Sequence, residues 1–212
     1  AVLDATLTAG LPFAVAAATG IDAIVHAIEA FTNRNRKNAL SDQAALHALR
    51  LLFENLPKAV RADADTDVRE NMLLGAMLAG QAFANSPVAA VHALAAPLGG
   101  QFHISHGLSN ALVLVHVLRF NLESALPAYA ELARHLLSKS RGSDEEDATA
   151  FVLHVEQLLL STGLPMRLRD HGVTEASLVS LSKDAMLQEH LLLNNPREVG
   201  GQDALAIYQA AY

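Results

Sequence analysis

The amino-acid sequence predicts an all-α fold, and three observations carry that prediction. Apolar residues recur at intervals of three and four along most of the chain. No run alternates apolar and polar residues as a half-buried strand would. Helix starts and stops follow one another at intervals suited to a bundle. The 212 residues can bury a substantial core, and at 51% apolar and 17% charged they are richer in apolar surface than an average soluble domain. Such a chain forms a large helical core or keeps one face for a partner domain.

Taken in order, Pro12 opens a short helix that Gly20 closes, and a second helix through Asp22, His26 and Phe31 follows directly. Ser41-Asp42 is an N-cap for a helix to about Asn55, with Ala45, Ala48, Leu49, Leu52 and Phe53 on one stripe, and Pro57 ends or kinks it. Thr66-Asp67 caps the next helix, whose Met72, Ala76, Met77, Ala79 and Gly80 suit close packing. From Pro87 to Gly100 the chain is apolar apart from His92, with a turn expected at Pro97 and Gly99-Gly100. A helix from near Gly107 carries Leu108, Ala111, Leu112, Val115 and Leu118. Helices Leu126 to Lys139 and Glu145 to Thr162 flank an exposed connector, Ser140-Arg141-Gly142-Ser143-Asp144. That connector does not divide the chain, so residues 1–212 read as one helical domain. Gly163 closes a helix, Thr174 opens one, and Asp203 to Tyr212 makes the last. Tandem repeats and low-complexity tracts are absent.

Composition excludes several functions. The net charge of −7 and a lone basic cluster at Arg34, Arg36 and Lys37, read as a solvated loop, give no nucleic-acid surface. With no cysteine there is neither a disulfide framework nor a thiolate site, so any metal must be held by nitrogen and oxygen. No apolar run is expected to span a membrane, and the first residues lack a basic leader region, which points to a cytoplasmic protein. Starting at Ala1-Val2-Leu3-Asp4 without methionine, the chain reads as a fragment or a processed product.

Chemistry concentrates in ten histidines and a few carboxylates. Asp22 and His26, four residues apart on a helix, point from one face and make half of a divalent-metal site. The plainer alternative is an acidic first-turn residue beside a half-buried ring. His92 lies within the apolar run Val88-Ala89-Ala90-Val91-His92-Ala93-Leu94, where its ring nitrogens need partners. His106 stands at a helix start, which favours the neutral, metal-binding ring. A Pro-Gly-Gly turn between them would let the two rings converge. Asp22, His26, His92 and His106 then form a three-nitrogen, one-oxygen set suited to Fe(II) or Zn(II); core histidines with unrelated partners are the alternative. Glu29 either orients His26 or lies on a solvated face.

These residues carry a family resemblance. Gly20-Ile21-Asp22-Ala23-Ile24-Val25-His26-Ala27-Ile28-Glu29-Ala30 resembles the first metal-binding motif of the iron-containing (group III) alcohol dehydrogenases. Val91-His92-Ala93-Leu94-Ala95-Ala96-Pro97-Leu98-Gly99-Gly100, running to His106-Gly107-Leu108-Ser109-Asn110-Ala111, resembles the second. Asn71-Met72-Leu73 with Ala79-Gly80-Gln81-Ala82-Phe83, and Asn195-Pro196-Arg197, fit in the same order. The resemblance implies the helical C-terminal domain of the dehydroquinate synthase-like architecture, with Asp22, His26, His92 and His106 as ligands of Fe(2+) or Zn(2+). It places Phe83 at the substrate pocket and brings the segment before Asn195 towards it.

It further implies hydride transfer between an alcohol and its aldehyde or ketone, with NAD or NADP as the acceptor. Its partners would be the small-molecule substrate and a nucleotide-binding half, with a homodimer as one candidate assembly. Two departures stand out. The family usually has a histidine where this chain has Ala96, so proton exchange would pass through water or His103. The glycine-rich phosphate loop of the nucleotide-binding half is not matched, so the chain reads as the C-terminal half only. The related maleylacetate reductases tend to lack the carboxylate at Asp22, whose presence points to a metal-dependent member. An isolated helical domain without turnover, a maleylacetate reductase and a dehydroquinate synthase-like lyase are the competing readings.

Overall fold

The structure, a computed structural model, describes residues 2–61, 63–137 and 141–212. Among these there are helices and turns but no strand, as the periodicity predicts. The order is α1 (Phe13–Thr32), α2 (Ala39–Ala59), α3 (Thr66–Asn85), α4 (Ala90–Phe102), α5 (His106–Asn121), α6 (Leu126–Leu137), α7 (Asp144–Ser161), α8 (Leu178–Met186), α9 (Glu189–Leu192) and α10 (Gly201–Ala211). Short 3-10 turns lie at Ala5–Thr8, Leu168–His171 and Glu175–Ser177. The expected helix end at Lys139 and the connector's first residue, Ser140, fall outside the described residues.

Helix α1 is the hub, packing against α2, α3 and α5. Ile21, Ile24, Val25, Ile28 and Phe31 are buried along it. By length and composition α1 could cross a membrane (mean hydropathy 1.4), contrary to the sequence expectation. Its apolar residues serve the bundle instead, where 61% of that stretch is buried. Gly20 does not close a helix. It lies within α1, where a Cβ would come 2.5 Å from Leu56 Cδ1 and 2.9 Å from Met72 Cε. The bare backbone lets α2 and α3 press against it.

On α2 the predicted stripe of Ala45, Ala48, Leu49, Leu52 and Phe53 is buried, but the cap sits earlier. Asn38 Oδ1 accepts from the Ser41 N–H at 3.0 Å. Pro57 lies in the last turn without ending the helix, which runs to Ala59. In α3 the buried small residues are Gly75, Ala79 and Ala82, whereas Ala76 faces outward.

The largest local correction concerns α4. Pro97, Gly99 and Gly100 make no turn; all three lie inside the helix, with Pro97 buried. Reversal comes at His103, whose φ of 56° is in the left-handed region and whose N–H bonds Gly99 O at 3.1 Å. That conformation stops α4 and hands the chain to α5 three residues later. Below the bundle, Tyr208 of α10 is fully buried and donates its hydroxyl to Leu94 O at 2.5 Å, fastening the C-terminal helix to α4.

Candidate metal centre

Three helices meet at one spot. Helix α1 supplies Asp22 and His26, one turn apart; α4 supplies His92; and α5 supplies His106 as its first residue. One ligand atom from each of the four lies within 4.8 Å of all the others. Nε2 of His92 and Nε2 of His106 stand 3.7 and 3.5 Å from Asp22 Oδ1. The His26 and His92 rings stack at 4.8 Å, and the His92 and His106 rings are tilted at 5.2 Å. Three nitrogens and one carboxylate oxygen at such spacing are a donor set for a borderline divalent cation.

The close approach of α5 to α1 depends on Gly107. A Cβ there would lie 2.3 Å from Ala18 O and 2.7 Å from its carbonyl carbon. Backbone cannot yield as a side-chain tip can, so a bare residue is required beside His106.

Glu29 is a functional residue that the sequence reading misplaced. It neither orients His26 nor faces solvent. It is buried, and its Oε2 stands 2.7 Å from His92 Nδ1. The same carboxylate accepts the backbone N–H groups of Ala89 at 2.9 Å and Val91 at 2.7 Å. Helix α4 has no side-chain cap of its own, so Glu29 both satisfies its first donors and places a negative charge at its positive end. Its position seven residues after Asp22, on the same helical stripe, was the available signal.

Electrostatics differ between the rings. Burial alone would depress His92, yet the Glu29 hydrogen bond and the charges of Glu29 and Asp22 prevail and raise its pKa. For His26, burial dominates and lowers the pKa, with Asp22 opposing. The neutral, lone-pair-bearing form of His26 is thereby favoured.

Among the residues expected near a substrate, Phe83 is brought to the centre: its exposed ring stacks on His26 at 4.6 Å and 25°. Ala96 is exposed on α4 one turn after His92, and His103 is exposed at the α4 C-cap. Neither has a hydrogen bond or ring contact to the four donors among the described contacts. The Asn194-Asn195 segment has polar partners of its own. Asn194 bonds Val88 O, and Asn195 exchanges two amide hydrogen bonds with Asn121 at the far end of α5 from His106.

An all-helical domain that gathers three imidazoles and a carboxylate from sequence-distant helices defines a candidate site for a divalent metal. Residues 16–212 match the C-terminal part of the Fe-containing alcohol dehydrogenase family, and the chain belongs to that family. It is 42% identical to long-chain-alcohol dehydrogenase 1 of Geobacillus thermodenitrificans, over 100% of this chain and 54% of that protein. It is 37% identical to 1,3-propanediol dehydrogenase of Klebsiella pneumoniae, over 99% of this chain and 54% of that protein. A crystal structure of 1,3-propanediol oxidoreductase superimposes with a TM-score of 0.94 at 36% identity, covering 99% of this chain and 55% of that one. The chain thus spans about half the length of the relatives it matches.

Proposed function

We propose that this chain is the metal-bearing half of an NAD(P)-dependent alcohol dehydrogenase, interconverting an alcohol and its aldehyde or ketone by hydride transfer. The observation that carries the reading is the convergence of Asp22, His26, His92 and His106, with ligand atoms within 4.8 Å of one another, in a chain of this family. These four would hold Fe(2+) or Zn(2+), Asp22 offsetting part of its charge. A divalent cation held there would supply Lewis-acid chemistry towards an alcohol or carbonyl oxygen.

The surrounding residues set the conditions. Burial favours the neutral ring of His26, and Glu29 fixes His92 with Nδ1 turned away from the other donors. Phe83 shields one side of His26 and, with Ala96 and His103, borders the space assigned to substrate. A nicotinamide cofactor bound by the longer protein would supply the hydride acceptor, and the substrate hydroxyl would have a proton to lose. A methyl at position 96 cannot relay that proton, so it leaves through water or His103. The nucleotide-binding half belongs to the remainder of a longer protein, and this chain alone binds metal without turnover. We assign the whole protein to the cytoplasm, with no nucleic-acid or membrane partner.

The test is metal content and hydride transfer together. Loaded anaerobically and dialysed, the chain retains one divalent ion, and His92→Ala loses it while remaining helical by circular dichroism. The longer protein bearing this sequence produces NAD(P)H in proportion to added alcohol. Undiminished metal in His92→Ala would remove the assignment.

A further inference from the structure

Asn110 sits four residues after His106 on the same face of α5 and is completely buried. Its Nδ2 lies 2.6 Å from Asp22 Oδ1 and 3.3 Å from each of His92 Nε2 and His106 Nε2. One amide therefore touches three of the four donors, one on each of α1, α4 and α5. The Asp22 carboxylate can only accept, so its 2.6 Å contact requires the amide's NH2 end to face the three atoms. At the other end Oδ1 is buried with no hydrogen-bond partner, so the donors alone set the amide's orientation.

Two N–H groups serve three acceptors. The shortest contact goes to Asp22, and the second proton is shared between the two ring nitrogens. A ring nitrogen accepts only when its proton is on the other nitrogen. For His92 that condition is already met, because Nδ1 is held by Glu29. His106 has no partner for Nδ1 among the described hydrogen bonds, and its side chain is 60% exposed. Among the described residues Asn110 Nδ2 at 3.3 Å and Asp22 Oδ1 at 3.5 Å face that Nε2, and the amide, the nearer and more buried of the two, selects the lone-pair form.

We propose that Asn110 is the positioning residue of this centre in its metal-free state: its amide draws the Asp22 oxygen and the Nε2 lone pairs of His92 and His106 to one point, fixes the His106 tautomer, and gives those lone pairs up when an ion enters. The inference rests on the metal-site reading above and adds a role that lies outside the four donors. The gain is preorganisation: without the amide, a carboxylate oxygen and two lone pairs converge with nothing between them, and loss of a group that holds metal ligands in place weakens binding about 10–100-fold.

Asn110→Leu keeps the side-chain size and removes both donors. Cobalt(II) is the probe, because its visible absorption reports donor geometry at saturation. The unmodified chain should bind one cobalt ion. Asn110→Leu should bind it about 10–100-fold more weakly, with shifted absorption bands once saturated. Independently of metal, nitrogen-15 NMR at a pH where the rings are neutral should show His106 protonated on Nδ1 in the unmodified chain and shifted towards Nε2 in the variant. A purely structural loss would alter neither the bands of the saturated site nor the tautomer of a folded chain. If Asn110→Leu loses helicity, Asn110→Ser carries the same two readouts. Equal cobalt affinity, an unchanged spectrum and an unchanged His106 tautomer would overturn the role of Asn110 while leaving the metal site intact. No cobalt binding by the unmodified chain would instead overturn the site itself.

Discussion

Glu29 Oε2 and His92 Nδ1 are joined by a 2.7 Å hydrogen bond between two buried side chains that lie 63 positions apart in sequence. The contact ties the donor cluster to the first turn of α4, because the same carboxylate accepts from Ala89 and Val91. A buried carboxylate is tolerable only when its lone pairs are used, and here three donors use them. His92 is thus held in one orientation by the group that also starts its helix.

Glu29→Gln should therefore act on both metal and fold. The amide oxygen can still accept, but its NH2 group would face a backbone N–H. Leaving one buried donor unpaired costs about 1–3 kcal/mol, read as a lower midpoint in urea. Metal affinity should fall about 10–100-fold, read by competition with a chromophoric chelator. A variant with the original midpoint and affinity would show that the bond does not orient His92.

Gly107 sets how near α5 comes to α1. Gly107→Ala would put a methyl against the Ala18 carbonyl, 2.3 Å from its oxygen, and His106 would be carried away from Asp22. Overpacking of this kind costs about 1–3 kcal/mol, and metal retention should drop with it. Gly80 is an internal control, because a Cβ there meets nothing within 4 Å. Gly80→Ala should leave metal content alone and gain up to about 1 kcal/mol from helix propensity. Equal effects from the two substitutions would contradict the steric account.

The contrast between those glycines shows what sequence can and cannot reveal. Asp22 and His26 were legible because four-residue spacing on a helix fixes a shared face, and the motif around His92 and His106 supplied the rest. The buried stripe of α2 followed from periodicity alone. Gly20, Pro97, Gly99 and Gly100 misled because local propensity predicts breaks there, whereas packing in the bundle keeps those segments helical. The true stop, His103, carries only a weak residue-type signal for a positive φ. Glu29 and Asn110 could be placed on helix faces, but their partners come from other helices and no spacing rule reaches that far.

Phe83 acts through His26. Their stacked rings, 4.6 Å apart, restrain an imidazole that no hydrogen bond among those described anchors. An aromatic pair contributes about 0.5–1.5 kcal/mol beyond burial, so Phe83→Ala should weaken metal binding about two- to tenfold, well short of losing a ligand. In the longer protein the same change should alter the preference among alcohols of different chain length. Metal affinity matching that of the unmodified chain would confine Phe83 to the surface.

Away from the centre, His154 and His116 give the domain an acid sensitivity of definite sign. Burial against Phe53, whose ring stacks on it at 5.1 Å, lowers the pKa of His154. Burial also lowers that of His116, with Arg119 adding to the effect and Glu156 opposing it. For a depressed histidine the unfolded chain takes up the proton first. Its stabilising contribution is complete above the unfolded value of about 6.5 and is lost as the pH falls through the lower folded value. His92, whose pKa is raised, works in the opposite direction and contributes more as the pH falls. The useful quantity is therefore a difference between variants. His154→Phe keeps an aromatic ring beside Phe53 and removes the titration. Its thermal midpoint should fall less than that of the unmodified chain between pH 7.5 and 5, with parallel behaviour above about pH 7. Parallel curves across the whole range would mean that His154 titrates alike in the folded and unfolded chain.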